Sequence, residues 1–109
     1  MAWHDFFEDW DILLCPQMAT AAFEHDHRPM HERTFSVDGS AQPYFDQLFW
    51  AGLVTVAYLP STVFPPGASA DGLPIGLQAV SAEYADHTCI DFARLLADEI
   101  GGFVPPPGY

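Results

Sequence analysis

His25, Asp26 and His27, followed by His31, gather three imidazoles and a carboxylate in a short stretch, a donor set acceptable to zinc or nickel. The i, i+2 spacing of the first two histidines lets both rings chelate from an extended segment. The stretch matches no zinc module, however, so His25, His27 and His31 stand as candidate ligands with no physiological metal or other cofactor expected. Ser61 beside Thr62 offers a hydroxyl nucleophile, but no glycine-flanked elbow surrounds it. A strand hydroxyl bonded to backbone is the plainer expectation. Cys89, two residues after His87, offers a thiolate at a helix start, although its place on an apolar stripe argues for a buried thiol.

What is missing narrows the chemistry further. The sequence has no lysine and no two adjacent serines. A serine hydroxyl needs a positioned base before it can attack an amide, and these residues supply none by pattern. The carboxylates scatter along the chain without calcium-loop spacing. No catalytic residue is assigned.

The 109 residues fit one domain spanning 1–109, long enough to bury roughly two thirds of the unfolded surface. Half of the residues are hydrophobic and 15 % are aromatic, which argues against disorder despite the ten prolines. Fifteen acids stand against Arg28, Arg33 and Arg94, for a net charge of −12. That charge repels phosphate backbones and anionic membranes, so neither nucleic acid nor a membrane is an expected partner. No signal-like N-terminus or membrane-length apolar run is present, and a cytoplasmic location is expected, with Cys15 and Cys89 as reduced thiols.

The elements that must position these groups follow from periodicity. Trp3, Phe6, Phe7 and Trp10 fall at i, i+3, i+4 and i+7, which predicts a short amphipathic helix with an aromatic face. Core is the favoured place for that face, and a partner-binding surface the alternative. Residues 12–15 predict a short buried strand ended by Pro16. Residues 18–42 lack periodicity and read as a long surface loop. A second helix is expected around Tyr44, Leu48 and Ala51, ending near Gly52. Residues 54–63, stopped at Pro65, and residues 74–81 read as strands that pair antiparallel. Cys89, Phe92, Ala93, Leu96, Ala97 and Ile100 predict a final helix, with Asp86 as its N-cap and Gly101-Gly102 as its stop. The order gives a small α/β fold: a mixed sheet of about three strands packed with helices.

Several blocks, in order, resemble the C-terminal part of amidase-signature proteins, in particular the acetamidase-like branch. They are Asp11-Ile12-Leu13-Leu14-Cys15-Pro16, Asp46-Gln47-Leu48-Phe49-Trp50-Ala51-Gly52-Leu53, Leu59-Pro60-Ser61-Thr62-Val63 and Gly72-Leu73-Pro74-Ile75-Gly76-Leu77-Gln78. His25-Asp26-His27, Phe92-Ala93-Arg94-Leu95-Leu96 and the Gly101-Gly102-Phe103 tail resemble the same branch. Two positions depart from its pattern: Cys15 stands where a threonine is usual, and Val54 where a proline is common. The resemblance implies the C-terminal part of an amidase-signature domain and hydrolysis of carboxamides by the full-length family. It also implies that the Ser-Ser-Lys triad lies upstream of everything matched. The chain is then expected to be inactive alone, with an N-terminal amidase polypeptide or a second copy of itself as partner. A stand-alone, self-associating module and a histidine-loop metal protein are the alternatives.

Overall fold

The computed structural model describes residues 2–109. It has three helices, α1 (Ala2–Asp9), α2 (Phe49–Val56) and α3 (Asp86–Ile100), and five strands: β1 (Leu13–Pro16), β2 (Thr34–Val37), β3 (Ser40–Pro43), β4 (Ser61–Ala68) and β5 (Pro74–Val80). Strands β1, β5 and β4 form a three-stranded sheet in that order, and β2 with β3 forms a separate hairpin. The small α/β fold is as expected. The sheet is antiparallel at both pairings rather than mixed, because β5 lies between β1 and β4 and runs opposite to both.

Alternation along β5 gives the sheet two cores. Val80 and Cys15 turn to one face, where Val54 of α2, Phe7 of α1, Leu13, Trp50 and Leu59 pack on them. Ala79 and Phe64 turn to the other, against Cys89, Phe92, Ala93 and Leu96 of α3, with Leu77 and Ile12 at the margin. The result is three layers, with α1 and α2 over one face and α3 over the other.

Several boundaries differ from the sequence expectation. Residues 54–63 are not one strand: the first three complete α2, which runs past Gly52, and pairing with β5 starts at Ser61. Helix α2 ends in a Schellman motif, with Tyr58 at φ 56° and Leu59 N–H bonded to Val54 O at 3.1 Å. No glycine marks that stop. Strand β4 then runs through Pro65 and Pro66, because a bulge between Phe64 and Gly67 takes the two prolines out of the ladder.

The segment 18–42 is not all loop. It contains a 3-10 turn at Met30–Glu32, strand β2 and part of β3. Asp38 and Gly39, at φ 49° and 80°, make the primed turn that joins the two strands. Helix α3 starts at Asp86, so the residue expected as N-cap is its first helical residue and Ala85 takes the cap position. Of the aromatic face of α1, Trp3, Phe6 and Phe7 are half-buried, while Trp10 lies beyond the helix and is exposed.

Candidate functional site

Gln78 is the most connected side chain of the sheet. It sits on β5, 2 % exposed, among the apolar residues Leu77, Ala79 and Val80. Its Nε2 donates to Pro16 O and to Trp50 O, each at 3.0 Å, and its Oε1 accepts from Ser61 Oγ at 3.1 Å. Both amide hydrogens and the amide oxygen are therefore used, as a buried primary amide requires. One side chain joins β1, α2, β4 and β5. Cys15, the register partner of Gln78 across β1, has its thiol pushed up by burial, opposed in part by a hydrogen bond with Gln78. The thiol stays protonated at neutral pH, which makes Cys15 a packing residue.

Ser61 is thus bonded to a side chain, not to backbone as expected. Its proton is held by an amide oxygen, which is too weak a base to generate an alkoxide at neutral pH. On the opposite face Thr62 Oγ1 donates to Cys89 Sγ at 3.3 Å, and that thiol donates to Asp86 O at 3.1 Å. Cys89 is 1 % exposed and His87 is exposed, so the thiol is sealed from any reaction partner. Both polar clusters brace the sheet.

The histidine loop assembles no metal centre. Among the described residues no group of three or more His, Cys, Asp or Glu side chains can hold a metal ion. The His25 and His27 rings lie edge to face with centroids 6.1 Å apart, and His31 Nε2 lies 3.6 Å from Glu32 Oε1. Asp26 is taken by Arg28, whose side-chain and backbone hydrogen bonds hold the carboxyl at about 2. The carboxylate thus closes an ion-paired turn instead of joining the imidazoles.

Sequence reasoning missed the part played by Gln78, although a signal was present. A glutamine within an apolar strand that is covered on both faces must find partners for its amide. The partners come from residues 16, 50 and 61 together with Cys15, and only the folded chain brings these together. Gly76, two residues earlier, faces Val63: a Cβ at Gly76 would lie 3.1 Å from Val63 Cγ1. A groove between α1 and the turn at 82–84, lined by Trp3, Phe7, Leu59, Glu8, Glu83 and Tyr84, is one concave feature close to these elements.

No helix among the described residues is long and apolar enough to cross a membrane. The family model described as Amidase matches residues 1–90. The chain is 31 % identical over 100 residues to a glutamyl-tRNA(Gln) amidotransferase subunit from Methylocella silvestris, covering 89 % of this chain and 18 % of that protein. It is 36 % identical over 106 residues to the corresponding subunit from Salinispora tropica, with 92 % and 18 % covered. Human fatty-acid amide hydrolase 2 is 30 % identical over 102 residues, with 94 % and 17 % covered. The chain spans under a fifth of the length of these relatives.

Proposed function

The chain belongs to the amidase family, and on that premise we propose that it forms the C-terminal part of an amide-hydrolysing fold whose catalytic lysine and serines lie outside these 109 residues. The reaction served is hydrolysis of a carboxamide to a carboxylic acid and ammonia or an amine. The role of this part is architectural. It supplies three strands and their covering helices, locked by Gln78, against which the catalytic residues are set.

The observation that carries this reading is the family match over 1–90 in a sequence with no lysine and no serine pair. The hydroxyls of Ser61 and Thr62 are both spent on structural bonds, which supports placing the nucleophile elsewhere. The names of the relatives, an amide hydrolase and part of an amidotransferase, support amide chemistry without fixing the amide.

The test is to assay the pure chain against simple carboxamides, alone and after co-expression with an amidase polypeptide that carries the lysine and paired serines. No turnover is expected alone, and turnover is expected in the reconstituted pair. Hydrolysis by the rigorously pure chain that Ser61→Ala abolishes would overturn the reading.

A further inference from the structure

Residues 18–25 form a strap between two pinned ends. On one side Gln17 N–H is bonded to Gly76 O at 3.4 Å. On the other, Asp26 is ion-paired with Arg28, whose carbonyl accepts from Arg33 Nε at 2.7 Å. Between these ends, among the described residues, no main-chain group of 18–25 is bonded to main chain. Two side chains fasten the strap to the body of the fold. Phe23 lies on the Phe35 ring with centroids 6.0 Å apart and meets Tyr44 edge-on at 6.3 Å, yet it is 43 % exposed. Thr20 Oγ1 accepts from Gln47 Nε2 at 3.2 Å.

The fastening at Thr20 is a poor one. Gln47, in the 3-10 turn Tyr44–Leu48, is 4 % exposed, and among the described residues no donor reaches its buried Oε1. Gln78, by contrast, has both ends of its amide engaged. A buried carbonyl without a donor raises the free energy of the closed arrangement, and that cost disappears when water reaches the group. The latch bond and the unmet carbonyl belong to one amide, so a movement that breaks the first relieves the second. Segments with few main-chain bonds and few apolar contacts are also those that open locally at low cost. Ala19 forms part of the wall of the groove that Phe35, Phe49 and Trp50 line, so lifting the strap widens that groove.

We propose that residues 18–25 open from the body as one unit, hinged at Gln17 and Asp26, with Gln47 as a latch that leaves the closed state only marginally preferred. The inference goes beyond the amidase reading and does not rest on it.

Hydrogen exchange of the side-chain amides, followed by NMR, tests it with Gln78 as the internal reference, because both amides are buried and only Gln47 is bonded to the strap. The Gln47 protons are expected to exchange about tenfold faster or more, by local opening. Their rate should not respond to low urea, whereas that of Gln78 should rise with it. Phe23→Ser, at a partly exposed position, should accelerate exchange at Gln47 and leave Gln78 unchanged, which fraying at Thr20 alone would not do. The latch has its own readout, chymotryptic cleavage after Phe23 under native conditions, which requires that ring to leave Phe35 and Tyr44. The Thr20→Val, Gln47→Met double variant removes the bond and the unmet carbonyl together, and cleavage should be slower than in the wild-type chain. Equal protection of Gln47 and Gln78, no response of Gln47 to Phe23→Ser, or faster cleavage in a folded double variant would each overturn the proposal. The first two measurements decide it if the double variant does not fold. None of these readouts involves amide hydrolysis, so their failure is distinct from failure of the proposed function.

Discussion

The Gln78 side-chain amide donates to the main-chain carbonyl of Trp50 at 3.0 Å, tying the central strand to the helix above it. The same nitrogen holds Pro16 O on the neighbouring strand. Apolar contacts alone would let α2 slide over the sheet, whereas a directional bond to one carbonyl fixes its position.

Removing that bond should be expensive. Gln78→Leu keeps the volume but leaves two carbonyls and the Ser61 hydroxyl without their partner, and about 2–4 kcal/mol of stability should be lost. Ser61→Ala should cost only about 1 kcal/mol, because it removes one partner of a single bond. Urea denaturation of both variants checks this, and equal losses would mean that Gln78 is not the brace.

The core beneath α3 should respond to truncation in proportion to burial. Phe64 is buried against α3, and Phe64→Ala should cost about 3–5 kcal/mol. Leu96 packs in the same cluster but is half-buried, so Leu96→Ala should fall near the low end, about 2 kcal/mol. Thermal unfolding of the pair would reveal the reverse order if α3 were only loosely attached.

Cys15 predicts an alkaline limb of the stability curve. Burial raises its thiol above the ordinary 9.0 in the folded chain, so the folded state keeps the proton after the unfolded state releases it. This contribution is complete below 9.0 and is lost as pH rises from there towards the folded value. Cys15→Ala should flatten the limb, and unchanged slopes in the two proteins would contradict the assignment.

Asp26 predicts the opposite limb. Hydrogen bonds from Arg28 depress its carboxyl from 3.8 to about 2, so the ion pair supports the loop above 3.8 and is lost as pH falls through about 2. Because the pair is exposed, the effect on global stability is expected to be small. Carboxyl titration followed by NMR should show Asp26 rising part of the way towards the ordinary range in Arg28→Gln, which removes the guanidinium but keeps the backbone N–H bond. A midpoint that stays near 2 would remove Arg28 as the cause.

The helices were legible where apolar residues recur at the helical period, as along α3, and β5 was legible because Gly72 and the apolar run bound it. The end of α2 was not, because Tyr58 takes the left-handed position that usually announces itself as glycine. Asp38-Gly39 carried a usable hairpin signal, hidden by flanking strands of only four residues each. Among the site residues, the loop histidines were visible as donors, but the commitment of Asp26 to Arg28 depends on folded geometry. The partners of Gln78 were invisible for the same reason: Pro16 and Trp50 lie far from it in sequence.

The position of Gln78 between two apolar cores also bears on how the chain avoids misfolding. If β5 were to pair one residue out of step, every side chain on it would exchange faces. Val80 and Ala79 are both apolar and would tolerate the exchange, so hydrophobicity alone discriminates poorly between the correct and the shifted arrangement. Gln78 would not tolerate it, since its amide would be driven into the layer of Phe64, Phe92 and Leu96 with its hydrogen bonds unmade. The glutamine thus makes the shifted register costly once α3 covers that face, a discrimination that the apolar residues beside it do not provide.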